Sequence, residues 1–382
     1  MKESNKIYFP GLNGLRFYAA LAVIITHVEL MKGKLGFSNI WHEPIIHQLG
    51  VQGVSFFFVL SGFLITYLLI IEKQKTNRIS LKDFYLRRIL RIWPLYYFVL
   101  ILGFFVFPYF SFFDMPFFTH HFKEDYLWNL IFYIVIFPNL ALSFFNAVPL
   151  IGQSWSIGVE EQFYILWPIV LKLKKTLTFQ FLISLLFFLI IIKVIILMTA
   201  FYSDSQIVQY VKKFAAMAKF ENMVIGGIGA LIIKNKVESI LVYIKKPIVL
   251  LFSICFIFIS MYIVPDFFLD GIHLINSFLF LIIIINVSTN PNSFLKLENN
   301  IFNLLGKISY GIYMYHLIVV FIVLKVLNKI NFSNFDDLLS NLILYILSIG
   351  FTILISYLSY TIFEFKFLKM KSRFTKIKSG NI

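Results

Sequence analysis

Gly11-Leu-Asn-Gly-Leu-Arg-Phe-Tyr-Ala-Ala-Leu-Ala-Val-Ile-Ile-Thr-His27 is the first long apolar stretch of this 382-residue chain, and it carries two ionisable side chains, Arg16 and His27. A hydrocarbon core about 30 Å thick takes about 20 helical residues to cross, so the stretch reads as a membrane span. Ionisable groups are rare inside such a span, because each must leave water and find a partner or a wet cavity. Along a helix, Arg16 and His27 stand roughly 16 Å apart. That spacing puts the guanidinium near one membrane surface and the imidazole more than halfway into the hydrocarbon. A cation at the rim and a titratable ring inside suit a site that grips an anionic carrier and moves protons. The plainer alternative is a snorkelling arginine and a core histidine bonded to a backbone carbonyl. No small-residue cleavage site follows, so the stretch reads as a retained span rather than a signal peptide.

The rest of the chain agrees with a membrane protein. It is 59% hydrophobic and 14% charged, with a mean hydropathy of +0.84, whereas soluble domains carry about 25% charged residues. The formal charge of +15 could suggest nucleic acid, but the basic residues concentrate in a few loops, as on the cytoplasmic side of a polytopic protein. No nucleic-acid partner is expected; the lipid bilayer is. Cys255 is the single cysteine, which excludes an internal disulfide.

Ten segments reach or approach spanning length: 11–30, 50–71, 93–112, 157–173, 177–199, 220–235, 247–264, 271–288, 304–326 and 338–363. The stretch 127–148 is broken by Pro138, Asn139 and Asn146 and reads as a re-entrant or interfacial element. If that stretch does not cross and the amino terminus is inside, 25 of the 34 Lys and Arg fall on the inner side. A crossing there would invert every later loop. The expectation is therefore an all-α integral membrane protein, a bundle of about ten transmembrane helices with both termini cytoplasmic. Residues 1–365 form one membrane domain, and 366–382 a basic cytoplasmic tail.

Three further segments could carry chemistry. Ser80-Leu-Lys-Asp83 has capping-box spacing, and Leu86, Ile89, Leu90 and Trp93 then form one apolar face, with Arg87, Arg88 and Arg91 on the other side. Those arginines suit either anionic lipid headgroups or a phosphate clamp, since the planar guanidinium grips phosphate oxygens bidentately. Ser154-Trp-Ser156-Ile-Gly-Val-Glu160-Glu161-Gln-Phe-Tyr164 opens the fourth span, with Glu160 and Tyr164 on one helix face. Carboxylates there could compensate a helix amino terminus, but two acids beside Ser, Gln and Tyr read better as a polar pocket. Ser309-Tyr-Gly-Ile-Tyr-Met-Tyr-His316 begins a late span, and His316 taken alone suits a structural role. The pair His120 and His121 lacks a carboxylate or cysteine at ligand spacing, so no metal is expected.

Together these segments resemble the membrane-bound acyltransferase family 3, which O-acylates surface polysaccharides, nodulation factors and macrolides. The resemblance rests on Gly11-Leu-Asn-Gly-Leu-Arg16 followed by His27, Gly53-Val-Ser-Phe-Phe-Phe-Val-Leu-Ser-Gly-Phe-Leu-Ile65, Arg88-Ile-Leu-Arg91 before Pro94, Ser154 to Tyr164, and Ser309 to His316, in that order. It implies a ten-helix bundle that takes an acyl group, usually acetyl, from cytoplasmic acyl-CoA to a hydroxyl of a cell-surface polysaccharide or its lipid-linked glycan precursor. His27 would be the catalytic histidine, Arg16 its companion cation, Arg88 and Arg91 the acyl-CoA clamp, and Glu160 the motif's acid. Beside the resemblance, the reaction's oxyanion needs donors, which Ser154, Ser156, Tyr164 or backbone amides could supply, with His316 in the supporting pocket. Acetyl-CoA enters as co-substrate, with no metal. Some relatives carry an extracytoplasmic hydrolase-like domain, so a separate extracytoplasmic transferase partner is one expectation and transfer by the membrane domain alone the other. A secondary transporter is the alternative from another class, although no inverted repeat is visible.

Overall fold

The computed structural model describes residues 6–115, 122–263, 269–330, 332, 338–375 and 377–380. His120 and His121 lie outside the described residues. Helices account for almost all of it: α1 (Leu12–Lys34), α2 (Pro44–Thr76), α3 (Leu81–Ile101), α4 (Tyr126–Ile134), α5 (Pro138–Phe144), α6 (Trp155–Leu173), α7 (Phe179–Phe201) and α8 (Gln206–Met217). They continue with α9 (Phe220–Lys234), α10 (Glu238–Ile244), α11 (Pro247–Ile263), α12 (Leu269–Thr289), α13 (Asn300–Lys307), α14 (Ser309–Lys329), α15 (Leu338–Ser359) and α16 (Phe365–Lys371).

Among the described residues, eight helical segments are long and apolar enough to cross a bilayer, and nine if the bent pair α10 and α11 is one span. Helix α6, the fourth span expected from the sequence, forms over 19 residues but falls outside that count because Glu160, Glu161 and Lys172 interrupt its apolar run. Two boundaries differ from the sequence reading. The amphipathic segment after Ser80 is not a separate interfacial helix. Asp83 N–H donates to the Ser80 hydroxyl at 3.4 Å as a cap, and the helix then runs on through Pro94 and a π-helical turn at Leu102–Val106. The sixth span likewise starts early, because α8 leads into α9 after only two residues.

The stretch expected to be re-entrant is two short helices, α4 and α5, separated by a turn in which the β-branched Ile136 takes a left-handed φ of 61°. Pro138 opens α5, where its missing N–H costs nothing. Lys6–Ile7 (β1) and Lys378–Ser379 (β2) form a two-residue parallel ladder.

Two close crossings set the packing around the site. A Cβ on Gly62 of α2 would sit 2.0 Å from the Met223 carbonyl oxygen, and one on Gly226 of α9 would sit 2.1 Å from that of Val59. Glycine at both positions lets the backbones of α2 and α9 touch, which in lipid supplies association that hydrophobicity cannot. Helix α1 lies against α2, α13 and α14. At its start Gly11 takes φ 75° as the N-cap, and its N–H donates to Glu298 at 2.7 Å.

Candidate active site

Arg16, Arg88, Arg91, Ser156, Glu160 and Tyr164, expected from separate sequence motifs, line one cavity of about 110 Å³. They come from α1, α3 and α6, and Tyr310 and Tyr313 of α14 and Ser61 of α2 complete the wall. Ser154 is buried just before α6 but does not reach the cavity. His27 and His316 do not line it either. They lie behind Tyr313, whose ring is 5.7 Å from that of His316, which in turn is 4.8 Å from the His27 ring.

Positive charge dominates one end of the cavity. Arg87 is satisfied: it donates to Glu72 at 3.1 Å and to the Phe374 carbonyl at 2.7 Å. Arg88 is held differently, its guanidinium 5.2 Å from the Tyr164 ring centre and 5.6 Å from that of Phe84. Its Nε is buried without a hydrogen-bond partner among the described residues. A buried, unpaired donor is costly, and this one belongs to a side chain of the cavity wall. Arg16 donates to Asn13 at 3.4 Å and lies in the fields of Arg88, Arg91 and Glu160. Helix α16 packs on α3 and brings Lys371 into the fields of Arg91, Arg88, Arg87 and Arg16. Lys371 had counted in the sequence only as part of a basic tail, because nothing in its neighbourhood marks the fold-back.

The opposite wall is a directed chain of hydroxyls. Tyr164 donates to Glu160 at 2.8 Å, and a tyrosine has one O–H to give, so Ser61 donates to Tyr164 at 2.5 Å. Tyr164 is thereby spent on Glu160 and is not free to stabilise an oxyanion. On the far side, Ser156 and Tyr313 hydroxyls are 2.6 Å apart, and Tyr313 donates to the Gln153 carbonyl at 3.0 Å. Ser61 was quoted in the sequence only as part of a motif; its pairing with Tyr164 spans 103 residues.

The histidines form a pair. His316, fully buried, has Nδ1 2.6 Å from the Tyr313 carbonyl and Nε2 3.2 Å from His27 Nδ1. His27 Nδ1 is also 2.8 Å from the Val23 carbonyl, one turn back on its own helix. The sequence treated the two rings as separate candidates; α1 and α14 place them in contact.

A polar network fixes the start of α1 below Arg16. Asn13 donates to Asn303 at 2.9 Å, Asn303 donates to Glu298 at 2.7 Å, and Tyr8 also donates to Glu298. At the far end of α1, Lys32, just beyond the 11–30 span expected from the sequence, is buried against Glu29 at 3.1 Å and donates to Asn341 at 2.9 Å.

Residues 9–361 match the family model described as an acyltransferase domain, that of acyltransferase family 3. The chain belongs to this family. Curated relatives carry O-acetyltransferase names. A putative O-acetyltransferase of Staphylococcus aureus is 29% identical over 385 residues, covering 95% of this chain and 58% of its own. The peptidoglycan O-acetyltransferase OatA of Listeria monocytogenes is 33% identical over 168 residues, 42% of this chain and 24% of its own. The O-acetyltransferase OatA of Staphylococcus aureus is 34% identical over 168 residues, 43% and 25% respectively. The chain thus spans about a quarter to somewhat over half the length of these relatives. No solved structure matches. The family assignment and the multi-pass bundle agree with the resemblance drawn from the motifs. Among the described residues, no three His, Cys, Asp or Glu side chains gather as metal ligands.

Proposed function

We propose that this protein is a membrane O-acetyltransferase that moves an acetyl group from acetyl-CoA to a hydroxyl of a cell-surface glycan. The observation that carries this reading is the cavity's lining, where Arg16, Arg88 and Arg91 stand against one carboxylate, Glu160. Arg87 and Lys371 stand close behind them, and the carboxylates in the fields of these cations are Glu72, Asp83, Glu160, Glu161 and Glu364. Glu72 is already paired with Arg87, and Arg88 Nε has no partner among the described residues. A polyanion such as the diphosphate and 3′-phosphate of coenzyme A complements the three lining arginines and supplies an acceptor for Arg88 Nε. In the proposed orientation this face and both termini are cytoplasmic, as the loop charge predicts. Residues 1–365 are then the acyltransferase domain, and the basic residues beyond it include Lys371 of the donor site.

The pantetheine arm is long and nearly neutral, and the wall formed by Val54, Phe57 and Tyr313 leads from the arginines towards the histidines. His27 acts as general base. Its Nε2 takes the proton of the acceptor hydroxyl while that oxygen attacks the thioester carbonyl. The C–O bond forms and the C–S bond breaks. The leaving thiolate then recovers the proton from His27. The names of the relatives favour peptidoglycan or another envelope glycan as acceptor. A separate extracytoplasmic partner that completes the transfer is compatible with this chemistry.

The test is release of free coenzyme A thiol by purified protein in the presence of acetyl-CoA and glycan fragments. Acceptor-dependent thiol release, with acetyl appearing on the glycan, supports the reading. Binding of acetyl-CoA without either product, or no binding at all, refutes it.

A further inference from the structure

We infer that His316 is the positioning partner of His27, so that the reactive centre is a two-histidine relay rather than a lone imidazole. The inference rests on the proposed acyl transfer with His27 as base, and deepens it.

The hydrogen positions follow from chemistry. A backbone carbonyl can only accept, so His316 Nδ1, 2.6 Å from the Tyr313 oxygen, carries the ring's hydrogen. A neutral imidazole has one N–H, which leaves His316 Nε2 as a bare lone pair. That lone pair faces His27 Nδ1 at 3.2 Å, so His27 Nδ1 must be the donor. The same N–H also faces the Val23 carbonyl at 2.8 Å. Two acceptors therefore hold His27 in the Nδ1–H tautomer. Its Nε2 is left as a lone pair with no partner among the described residues, the state a base needs.

The two acceptors have different consequences. Val23 lies on the same helix as His27 and moves with it, so its carbonyl cannot set the ring against the rest of the site. His316 belongs to α14, whose Tyr313 hydroxyl bonds Ser156 in the cavity wall. The contact ties the orientation of the base to the helix that shapes the route from the donor cavity. When His27 takes the proton, its Nδ1–H also becomes the donor of an ionic hydrogen bond, which His316 Nε2 is placed to accept. Full burial of His316 keeps water from replacing it. In the sequence these rings are 289 positions apart.

Four variants at matched expression test the relay, each assayed for kcat, KM for the acceptor, and acetyl-CoA affinity. His316→Phe keeps the ring volume and removes both nitrogens. His316→Asn places an amide donor near the Tyr313 carbonyl but falls short of His27. His316→Gln reaches His27 with a carbonyl acceptor. His27→Ala reports the base itself. The relay predicts that the Phe and Asn variants lose about ten- to a hundredfold in kcat, with acetyl-CoA affinity nearly unchanged, and that the Gln variant recovers a substantial part. If the Phe variant does not fold, the Asn against Gln contrast decides. Parental kcat in the Phe or Asn variant, or equal loss in Asn and Gln, overturns the relay. Parental kcat in His27→Ala instead overturns the base assignment, and with it the reading on which the relay stands.

Discussion

Lys73, near the end of α2, donates to the Leu171 carbonyl near the end of α6 at 2.9 Å. Its ammonium also bonds the Lys174 carbonyl. The contact puts the basic segments 73–91 and 172–175 on the same face of the bundle. With α3 leading away from that face and α6 leading back, α4 and α5 lie between them at the other side, and at 9 and 7 residues neither is long enough to cross.

Accessibility labelling checks the proposed orientation. Lys82→Cys, placed in a Cys255→Ala background, should resist a membrane-impermeant thiol reagent in intact cells. Ser38→Cys, on the opposite face and exposed, should react. The reverse pattern would invert the assignment. Lys32 would serve poorly as a reporter, since its side chain is buried against Glu29.

The arginine cavity predicts the response of donor binding. Arg88→Lys keeps the charge but loses the planar fork and its stacking on Tyr164, and should weaken acetyl-CoA binding about ten- to a hundredfold. Arg91→Ala should do the same. Lys371→Ala should weaken binding by a smaller factor, and that loss should shrink as salt is added. Titration calorimetry in detergent, with unchanged affinity in all three, would remove the donor site from this cavity.

Loss of the base should separate chemistry from binding. His27→Ala should lower kcat about 10²- to 10⁴-fold while acetyl-CoA affinity stays near parental. Glu160→Gln removes the charge that Tyr164 and Ser61 are ordered around. It should lower kcat to a lesser extent, and parental turnover in this variant would show that the hydroxyl chain is incidental.

Gly62→Val should destabilise the bundle by about 1–3 kcal/mol or more, because its side chain would meet the backbone of α9 at Met223. Gly36→Ala has open space around it and tests strain alone, since its φ is +79°. Thermal unfolding in detergent should show the larger loss for Gly62→Val. Equal midpoints would mean that the α2 and α9 backbones are not in contact.

Acid should loosen the start of α1. Burial raises the Glu298 carboxyl, but hydrogen bonds from Asn303, Tyr8 and the Gly11 N–H outweigh it and hold the group below the ordinary carboxylate value. Tyr8 is pushed up to about 12 by burial and by the neighbouring Glu298. A depressed carboxylate contributes stability that is complete above its unfolded value and disappears as pH falls through its folded value. The stability gap between the parent and Glu298→Gln should therefore be widest at neutral pH and close on acidification. A gap independent of pH would rule out the carboxylate as its source.

Much of the architecture was legible in the chain. Apolar length, loop charge and the interruption at Pro138 and Asn139 determined a multi-pass helical bundle with a non-crossing segment, because the bilayer imposes a length and a charge rule on each helix separately. Arg16, Arg88, Arg91, Glu160 and His27 stood out for the same local reason, as ionisable groups in or beside an apolar helix. What only the tertiary structure decided was company. That Tyr164 is spent on Glu160, that Lys371 returns to the arginines, that Ser154 misses the cavity and that His316 touches His27 all depend on rotations and crossings between helices far apart in sequence. Those are set by close contacts such as Gly62 against Met223, which periodicity along a single helix does not encode.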